Sequence, residues 1–341
     1  MIKQNSILIS ALLAVAASLS LHAQATVPVH LVVTAESTRG DTSPAEMDKS
    51  DVIVRQGKNR LQTTDWIPAR GDQAGLQLFI LIDDTCDSRL GSQLDEIRSF
   101  IKAQPSTTAV AVGYMSNASV TIAQDFTADH EKAAQAIRLP LARLSAQDSP
   151  YLSLVSLLSR WPQSKVRREV IMISDGIDRL RGSSPSISPS VPPSSRGSRS
   201  RTMAPSPAMG PVTMPYISPD VDRASFAGQR SGVIVHTIFA PGVGRADRNY
   251  FEANNGLNGI SKLSDETGGE SFSLSLQPAV SFGPYFDRLQ TILNNQYFLV
   301  FQAIPGKKAG LQRVRLGTEV PNIQFVSADN VWVPAASATT E

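Results

Sequence analysis

Residues 76–87 read LQLFILIDDTCD. The first seven are apolar except for Gln77, and the last five carry carboxylates, a hydroxyl and a thiol. An apolar run of this length indicates a strand that is buried on both faces of a sheet. In open α/β sheets, ligands bind beyond the carboxyl ends of the strands. The segment therefore predicts a central strand that delivers oxygen atoms to a binding edge.

Strands and amphipathic helices alternate after this segment. Leu90, Leu94, Ile97 and Ile101 recur at a spacing of three and four, which places one apolar stripe against a sheet. The same patterns predict further strands at 109–114, 120–123, 169–174, 233–240 and 296–303, and further helices at 129–138, 151–161, 257–266 and 282–294. The strands at 109–114 and 120–123 are close enough in sequence to pair as a hairpin. This alternation favours an α/β fold with a doubly wound, mostly parallel sheet that is flanked by helices.

Smaller segments surround the predicted α/β domain, which we place at residues 76–304. Residues 26–75 contain two short strand patterns and a turn at 56–59, and predict a small amino-terminal β segment. Residues 305–341 predict a carboxy-terminal β extension and tail, with strands between 312 and 333. Residues 181–219 are dominated by Ser and Pro and predict a disordered insertion within the α/β domain. That insertion is either a solvated excursion without a role or a cationic arm near the binding edge.

The amino terminus predicts export. Residues 1–25 contain an early Lys3, a short apolar run and the small-residue pattern Ala23-Gln24-Ala25. This composition is typical of a secretory signal peptide that is cleaved after Ala25, although a retained anchor is the alternative. No later segment is long and apolar enough to span a bilayer, so we expect a secreted or periplasmic protein without membrane insertion after signal removal.

The net charge and the cysteine count limit the kinds of partner and the kinds of stabilising interaction that we expect. The formal net charge is only +2, so nothing indicates nucleic acid or an anionic membrane as a general partner. Cys86 is the single cysteine of the sequence, which excludes an intramolecular disulfide. Stability must therefore come from a packed core. Cys86 and His236 are both interpreted as buried packing residues, and Asp178 as a solvated loop or helix-start residue.

Three segments bring oxygen atoms to the predicted carboxyl edge of the sheet. They are Asp83 to Asp87, the Asp148-Ser149 pair before a helix, and Asp175-Gly176 after a strand. Carboxylate and hydroxyl oxygens are ligands for Mg²⁺, Mn²⁺ or Ca²⁺, and a thiolate-seeking metal would need other residues. The alternative is a degenerate site in which Asp83 and Asp175 only cap loops.

These segments resemble the von Willebrand factor type A domain, and most closely the secreted bacterial VWFA-related proteins. The metal-ion-dependent adhesion site of that family has an Asp-x-Ser-x-Ser loop after the first strand, a later Thr and a strand-terminal Asp. The resemblance implies that the metal ligands here are Asp83, Thr85, Asp87, Ser149 and Asp175. Asp87 stands where the family has a neutral hydroxyl. Its extra negative charge would strengthen cation binding and weaken recruitment of an acidic partner.

The predicted function is an exported protein-binding module for adhesion or assembly, with a protein partner of unknown identity and a divalent cation at a variant metal-ion-dependent adhesion site. One alternative is a structural component of a cell-surface or secretion assembly with a metal-free site. The sequence has no nucleophile elbow, no zinc-protease helix motif and no phosphate-binding loop, so we do not expect an enzyme. A metal-assisted hydrolase built on Asp83, Asp87 and Asp175 is the remaining enzymatic alternative.

Overall fold

The structure is a computed structural model that describes residues 26–39, 46–162, 164–180, 217–243, 250–273, 276–277 and 279–336. The predicted signal peptide lies outside the described residues, and so do residues 181–216 of the predicted insertion. Among the described residues, no helix is both long and apolar enough to cross a membrane.

The strands and helices are numbered here in chain order. The strands are β1 (Val27–Ser37), β2 (Ile53–Gln56), β3 (Asn59–Leu61), β4 (Thr63–Pro68), β5 (Leu76–Asp83), β6 (Thr108–Ser116), β7 (Ser119–Thr127), β8 (Arg167–Ser174), β9 (Ile234–Phe239), β10 (Ser271–Phe272), β11 (Gln296–Ala303), β12 (Gly310–Gly317), β13 (Ile323–Val326) and β14 (Asn330–Val333). The α-helices are α1 (Leu94–Lys102), α2 (His130–Gln135), α3 (Pro150–Arg160), α4 (Pro219–Ser231), α5 (Tyr250–Thr267) and α6 (Gly283–Asn294).

A six-stranded sheet in the order β10-β9-β8-β5-β6-β7 forms the centre of the α/β unit. Its strands are parallel except for β7, which pairs antiparallel with β6. The predicted α/β fold with a mostly parallel sheet is therefore confirmed, and so is the predicted hairpin. The hairpin turns at Asn117 and Ala118, which both have a positive φ, as a two-residue connection between twisted strands requires.

β5 is a central strand because both of its faces are covered. Leu78, Ile80 and Ile82 are fully buried in one hydrophobic cluster with residues of α1, α2 and α6. Phe79 and Leu81 point the other way, since successive side chains of a strand alternate, and they pack with residues of α3, α4 and α5. This two-sided burial explains why the sequence of β5 is almost continuously apolar.

A β-sandwich is built from both ends of the described chain. One sheet has the order β13-β1-β11-β4 and the other β14-β12-β2-β3. Val33, Val54, Leu299, Phe301 and Val333 are buried in its core. The structure differs here from the sequence prediction, which placed β11 in the α/β domain and separated the two flanking β segments. β11 pairs with β1 and β4, because its alternating apolar side chains fit a sandwich core.

The start of α4 corrects the end of the predicted disordered insertion. Residues 217–219 are described, and Ser218 and Pro219 form the beginning of the helix. The Ser218 hydroxyl accepts a hydrogen bond from the Asp220 N–H at 3.2 Å. Proline is favoured in a first helical turn, where its missing N–H costs nothing. The Ser-Pro pair thus starts a helix.

Candidate functional site at the carboxyl edge of the sheet

The centre of the site is formed by the ends of two adjacent parallel strands. Asp83 ends β5, and Ser174 ends β8 beside it, followed by Asp175. The Ser174 hydroxyl donates to Asp83 Oδ2 at 2.7 Å, and the Thr85 N–H donates to Asp83 Oδ1 at 2.9 Å. All four residues are buried. We call Asp83 and Asp175 the carboxylate centre.

Arg179 supplies a positive charge to this centre. Its Nη2 lies 2.6 Å from Asp175 Oδ2, and its Nη1 donates to the Ile177 carbonyl at 3.2 Å. The other oxygen of Asp175, Oδ1, accepts from the Ile177 N–H at 2.9 Å. Both carboxylate oxygens of Asp175 are therefore held by groups of the chain itself. The side chains of Arg179 and Asp175 are only 15% and 1% exposed.

The ionisation of Asp83 and Arg179 is shifted by their burial and by each other. Burial, followed by the charge of Asp175, raises the pKa of Asp83 to about 6, although Ser174, Arg179 and the Thr85 N–H act in the opposite direction. Burial lowers the pKa of Arg179, but Asp175, Asp83 and Asp148 outweigh it, so the pKa of Arg179 is raised. Arg179 is therefore a permanent cation, whereas Asp83 can take up a proton in mildly acidic solution.

Thr85 lies next to the carboxylate centre with an unused hydroxyl oxygen. Its side chain is 1% exposed, and its Oγ1 has no hydrogen-bond partner among the described residues. The backbone is well held, because the Val243 N–H donates to the Thr85 carbonyl at 2.9 Å. Burying a hydroxyl without a hydrogen-bond partner costs free energy, and a ligand that bound Thr85 Oγ1 would recover part of that cost.

Ser149 and Asp148 organise a neighbouring loop. The Ser149 hydroxyl caps α3 by accepting from the Leu152 N–H at 3.3 Å. The Asp148 carboxylate accepts from the N–H groups of Asn117 and Ser145 at 2.8 Å and 2.6 Å. Asp148 therefore joins the β6–β7 turn to the start of α3.

Asp87 is not brought to the carboxylate centre. It caps a short 3-10 helix, Ser88–Gln93, and its Oδ1 accepts from the Arg89 N–H at 2.9 Å and from Arg89 Nε at 3.2 Å. The side chain is 27% exposed. The Arg89 N–H is the main cause that lowers the pKa of Asp87. Of the five predicted ligands, Asp83, Thr85 and Asp175 meet in one loop cluster, Ser149 begins the helix beside them, and Asp87 turns to Arg89.

As arranged, these residues do not fit the cation site that the resemblance implies. A divalent cation would have to displace Arg179 from Asp175, and each oxygen of Asp83 already accepts one hydrogen bond, from Ser174 or from Thr85. Within the part of the chain that the structure describes, no group of three or more His, Cys, Asp or Glu side chains could hold a metal ion. Among the described residues, Thr85 Oγ1 is a buried oxygen of the expected type that has no hydrogen-bond partner.

Sequence reasoning missed two arginines. Arg179 follows Asp175 by four residues, a spacing that would signal an ion pair only in a helix, and here the chain turns instead. Arg138 makes two parallel hydrogen bonds to the buried Asp84 at 2.7 Å and 2.9 Å, and its guanidinium lies 3.6 Å from the ring centroid of Tyr114. No sequence signal links Arg138 to Asp84, because they are 54 residues apart.

The interpretation of the other polar residues is mostly confirmed. His236 is a buried core residue whose Nε2 lies 2.9 Å from Glu169 Oε2, and Cys86 is fully buried. Burial raises the pKa of the Cys86 thiol well above its usual range. Asp178, however, is not a solvated loop residue, because it is only 8% exposed and accepts a hydrogen bond from the Ser218 hydroxyl.

Large apolar side chains are exposed around the same edge of the sheet. The loop that joins α2 to α3 is held there by Asp84, whose Oδ1 accepts from the Leu141 N–H at 3.1 Å. Further exposed side chains follow the carboxyl ends of β8, β9 and β10. The set, which we call the apolar rim, consists of Leu139, Leu141, Leu144, Leu180, Tyr250, Phe251 and Val280, with exposed fractions from 44% to 92%. Exposed large apolar side chains beside a ligand-binding edge are candidates for an interaction surface.

No protein-family model matches this sequence, and no curated protein matches it. Solved structures with a similar fold include a von Willebrand factor type A protein from Catenulispora acidiphila, with 10% identity, a TM-score of 0.41, and coverage of 93% of this chain and 76% of that one. The von Willebrand factor domain of a type V pilus tip protein from Porphyromonas gingivalis has 15% identity, a TM-score of 0.40, and coverage of 64% and 95%. An aerotolerance-related membrane protein from Bacteroides fragilis has 11% identity, a TM-score of 0.40, and coverage of 64% and 99%.

Von Willebrand factor type A domains are thus among the structural neighbours, as the sequence resemblance predicted. The fold class stands on the strand order and on the register of the sheet.

Proposed function

We propose that this chain is an exported protein-binding module that recognises its partner with the apolar rim. The observation that carries the proposal is the exposure of large apolar side chains on loops and at the start of α5, at one edge of a rigid sheet. Leu141 is 54% exposed, Tyr250 is 68% exposed and Val280 is 92% exposed. Loops that are positioned by a rigid scaffold are common sites of recognition, and a few well-packed anchor residues supply most of the binding energy in protein interfaces.

The edge is well suited to hold these side chains in place before a partner binds. The loop that carries Leu139, Leu141 and Leu144 is anchored by two groups of the scaffold, Asp84 and Asp148. Leu180 is fixed through its N–H, which donates to the Asp148 carbonyl at 3.0 Å. A surface that is ordered before binding loses less conformational entropy when the complex forms, which favours affinity.

Export is part of the proposal and rests on the amino-terminal sequence. The early lysine, the apolar run and Ala23-Gln24-Ala25 are typical of a cleaved secretory signal. We expect the protein recovered from the producing cells to begin at Thr26. Amino-terminal sequencing of that protein tests this, and a retained Met1 would contradict cleavage.

The metal-free alternative is favoured over a cation that bridges to the partner. Arg179 already binds the carboxylate that a bridging cation would need, and Asp87 faces Arg89. We therefore expect a captured partner to remain bound in the presence of a chelator. Release of the partner by the chelator would show that recognition depends on a cation.

The test of the rim uses charged substitutions and matched controls. Photo-cross-linking from position 141 in the full exported chain first identifies the partner, whose affinity is then measured with purified proteins. Leu141→Glu and Leu144→Glu should each weaken binding by about tenfold or more, because a charge replaces an apolar contact. Ile67→Glu and Phe226→Glu change residues that are 38% and 47% exposed elsewhere on the surface, and should leave binding unchanged. Equal affinity for the rim variants and wild type would refute the proposal.

A further inference from the structure

We propose that the guanidinium of Arg179 is the resident cation of the carboxylate centre, and that it excludes Mg²⁺, Mn²⁺ and Ca²⁺ from this site. The groups involved are the buried carboxylate centre and Arg179, so the exclusion of cations does not depend on a protein partner. It follows from the disagreement between the ligand set that the sequence resemblance implies and the contacts that the structure contains.

The buried side chains of the carboxylate centre are both acidic. Asp83 is 3% exposed and ends β5, and Asp175 is fully buried and follows the end of the neighbouring strand β8. The charge of Asp175 acts on Asp83 strongly enough to be the second largest influence on its ionisation. Two buried carboxylates without a cation are unfavourable, because burial removes the water that stabilises them. Some positive group must therefore accompany them.

Arg179 supplies this positive group and forms an ion pair of good geometry with Asp175. Nη2 is 2.6 Å from Asp175 Oδ2, and Nη1 is 3.5 Å from Oδ1. Asp83 and Asp148 add to the negative potential around the guanidinium. Charge-assisted hydrogen bonds between a guanidinium and a carboxylate are among the strongest in proteins.

Hydrogen bonds to the backbone hold Arg179 in place beside Asp175. The Arg179 N–H donates to the Asp148 carbonyl at 2.9 Å, and Nη1 donates to the Ile177 carbonyl at 3.2 Å. A group tethered in this way competes as an intramolecular ligand with a high effective concentration. A free divalent cation must displace it and also lose most of its own hydration shell.

The main chain at Gly242 packs directly against the ion pair of Asp175 and Arg179. A Cβ atom placed on Gly242 would lie 2.1 Å from Asp175 Oδ2 and 3.1 Å from Arg179 Nη2. The backbone at Gly242 is fixed by a β-bridge to Cys86. Only a glycine can pass this close, and its approach leaves no room for a hydrated ion on that side.

Oxygen atoms suited to a cation nevertheless remain once the guanidinium is removed. Thr85 Oγ1 is buried without a partner among the described residues, and Ser149 Oγ makes only a long hydrogen bond of 3.3 Å to its helix. Together with the freed oxygens of Asp175 and with Asp83, they are hard donors of the kind that Mn²⁺ and Mg²⁺ bind. Arg179→Ala should therefore convert a site that excludes cations into one that binds them.

The experiment titrates the full exported chain with MnCl₂ by isothermal calorimetry and follows free Mn²⁺ by electron paramagnetic resonance. Wild type should show no saturable binding at millimolar Mn²⁺. Arg179→Ala and Arg179→Gln should bind one Mn²⁺ with a dissociation constant at least about tenfold below the highest Mn²⁺ concentration at which wild type shows no binding, and Asp175→Asn in the Arg179→Ala background should abolish that binding. Arg138→Ala removes another arginine from a buried carboxylate, Asp84, and should gain no affinity. Arg179→Lys should remain unable to bind.

Either of two results overturns the inference. One is saturable Mn²⁺ binding by wild type that Asp175→Asn removes. The other is an Arg179→Gln variant with a native circular dichroism spectrum that gains no Mn²⁺ affinity. If Arg179→Ala folds only when Mn²⁺ is added, the proposal is supported, because the metal then replaces the missing charge. If Arg179→Ala and Arg179→Gln stay unfolded even with Mn²⁺, the proposal is refuted, because no cation can then take the place of the guanidinium.

Discussion

Nη2 of Arg179 lies 2.6 Å from Oδ2 of Asp175, four residues earlier in the chain, and the two side chains form an almost fully buried ion pair. The turn between them begins at Gly176, whose φ of 70° is unfavourable for other residues. Asp175 therefore directly follows the strand β8 and fixes the direction of the loop that begins there. The ion pair also neutralises the charge of Asp175 at the edge around which the apolar rim is arranged.

The stability of the protein should depend on pH through Asp83. Its pKa is raised from 3.8 to about 6, so its contribution to stability is fully present below pH 4 and is lost as the pH rises through 6. A shift of this size corresponds to about 3 kcal/mol. The free energy of unfolding of Asp83→Asn, minus that of wild type, should therefore increase by up to about 3 kcal/mol between pH 4 and pH 7.

Urea unfolding of both proteins across this pH range measures the difference. Titrations of all other groups are shared by the two proteins and largely cancel in the difference. A difference that stays constant from pH 4 to pH 7 would show that Asp83 has an ordinary pKa in the folded state.

The packing of α5 against the carboxylate centre requires a glycine at position 256. A Cβ there would lie 2.3 Å from the Asp175 carbonyl oxygen and 3.1 Å from the carbonyl carbon of Gly176. Alanine normally stabilises a helix by about 1 kcal/mol relative to glycine. Gly256→Ala should instead lower the free energy of unfolding by about 2 kcal/mol, because the backbones must move apart.

Gly310→Ala is the matched control, because a Cβ at Gly310 meets no atom within 4 Å. It should change the free energy of unfolding by no more than about 0.5 kcal/mol. A Gly256→Ala protein as stable as the control would mean that α5 can move away from Asp175 without cost.

The loop that carries Leu141 should depend on the pair between Arg138 and Asp84. Asp84 accepts two hydrogen bonds from Arg138 and one from the Leu141 N–H, and it is only 6% exposed. Arg138→Ala should lower the free energy of unfolding by about 2 kcal/mol, since it leaves a buried carboxylate without its main partner. Arg138→Lys should lose about half as much, because lysine cannot form the two parallel bonds.

Hydrogen exchange of residues 139–144 provides a second measurement. Exchange in this loop should become faster in both Arg138 variants, because Asp84 then holds the Leu141 N–H less firmly. Arg89→Lys changes a more exposed pair with Asp87 and should leave exchange in the loop as it is in wild type. Unchanged exchange in Arg138→Ala would contradict the anchoring role of Asp84.

The β-sandwich and the α/β unit should unfold together. Arg167 at the start of β8 donates to the Leu293 carbonyl at 2.8 Å and to Gln296 Oε1 at 2.7 Å, at the junction of α6 and β11. Leu299 lies in the sandwich core and is fully buried. Leu299→Ala should lower the free energy of unfolding by about 3 kcal/mol, through lost apolar burial and the cavity that remains.

This loss should be the same when it is measured in either unit. Trp66 belongs to the sandwich core and Trp161 to the α/β core, so single-tryptophan variants report on each unit separately. Two separate transitions in Leu299→Ala, with the Trp161 transition unchanged, would show that the sandwich unfolds independently.

The sequence by itself determined the layered α/β fold. The apolar run of β5, the stripe on α1 and the alternation of strands and helices are local patterns, and each depends only on which side chains must be buried. The hairpin of β6 and β7 was also predictable, because its strands are close in sequence. Asp83 and Asp175 could be placed at one edge because the carboxyl ends of parallel strands always lie together.

Tertiary structure alone decided what these carboxylates do and where β11 lies. An alternating pattern shows that β11 has a buried face, but it does not say whether the partner is the central sheet or β1 and β4. Arg179 reaches Asp175 only because the turn at Gly176 and the Asp148 carbonyl direct the chain back. Asp87 faces Arg89 because it caps a short helix. Residue types fix which atoms can bind a cation, but only the path of the backbone decides whether an arginine reaches them first.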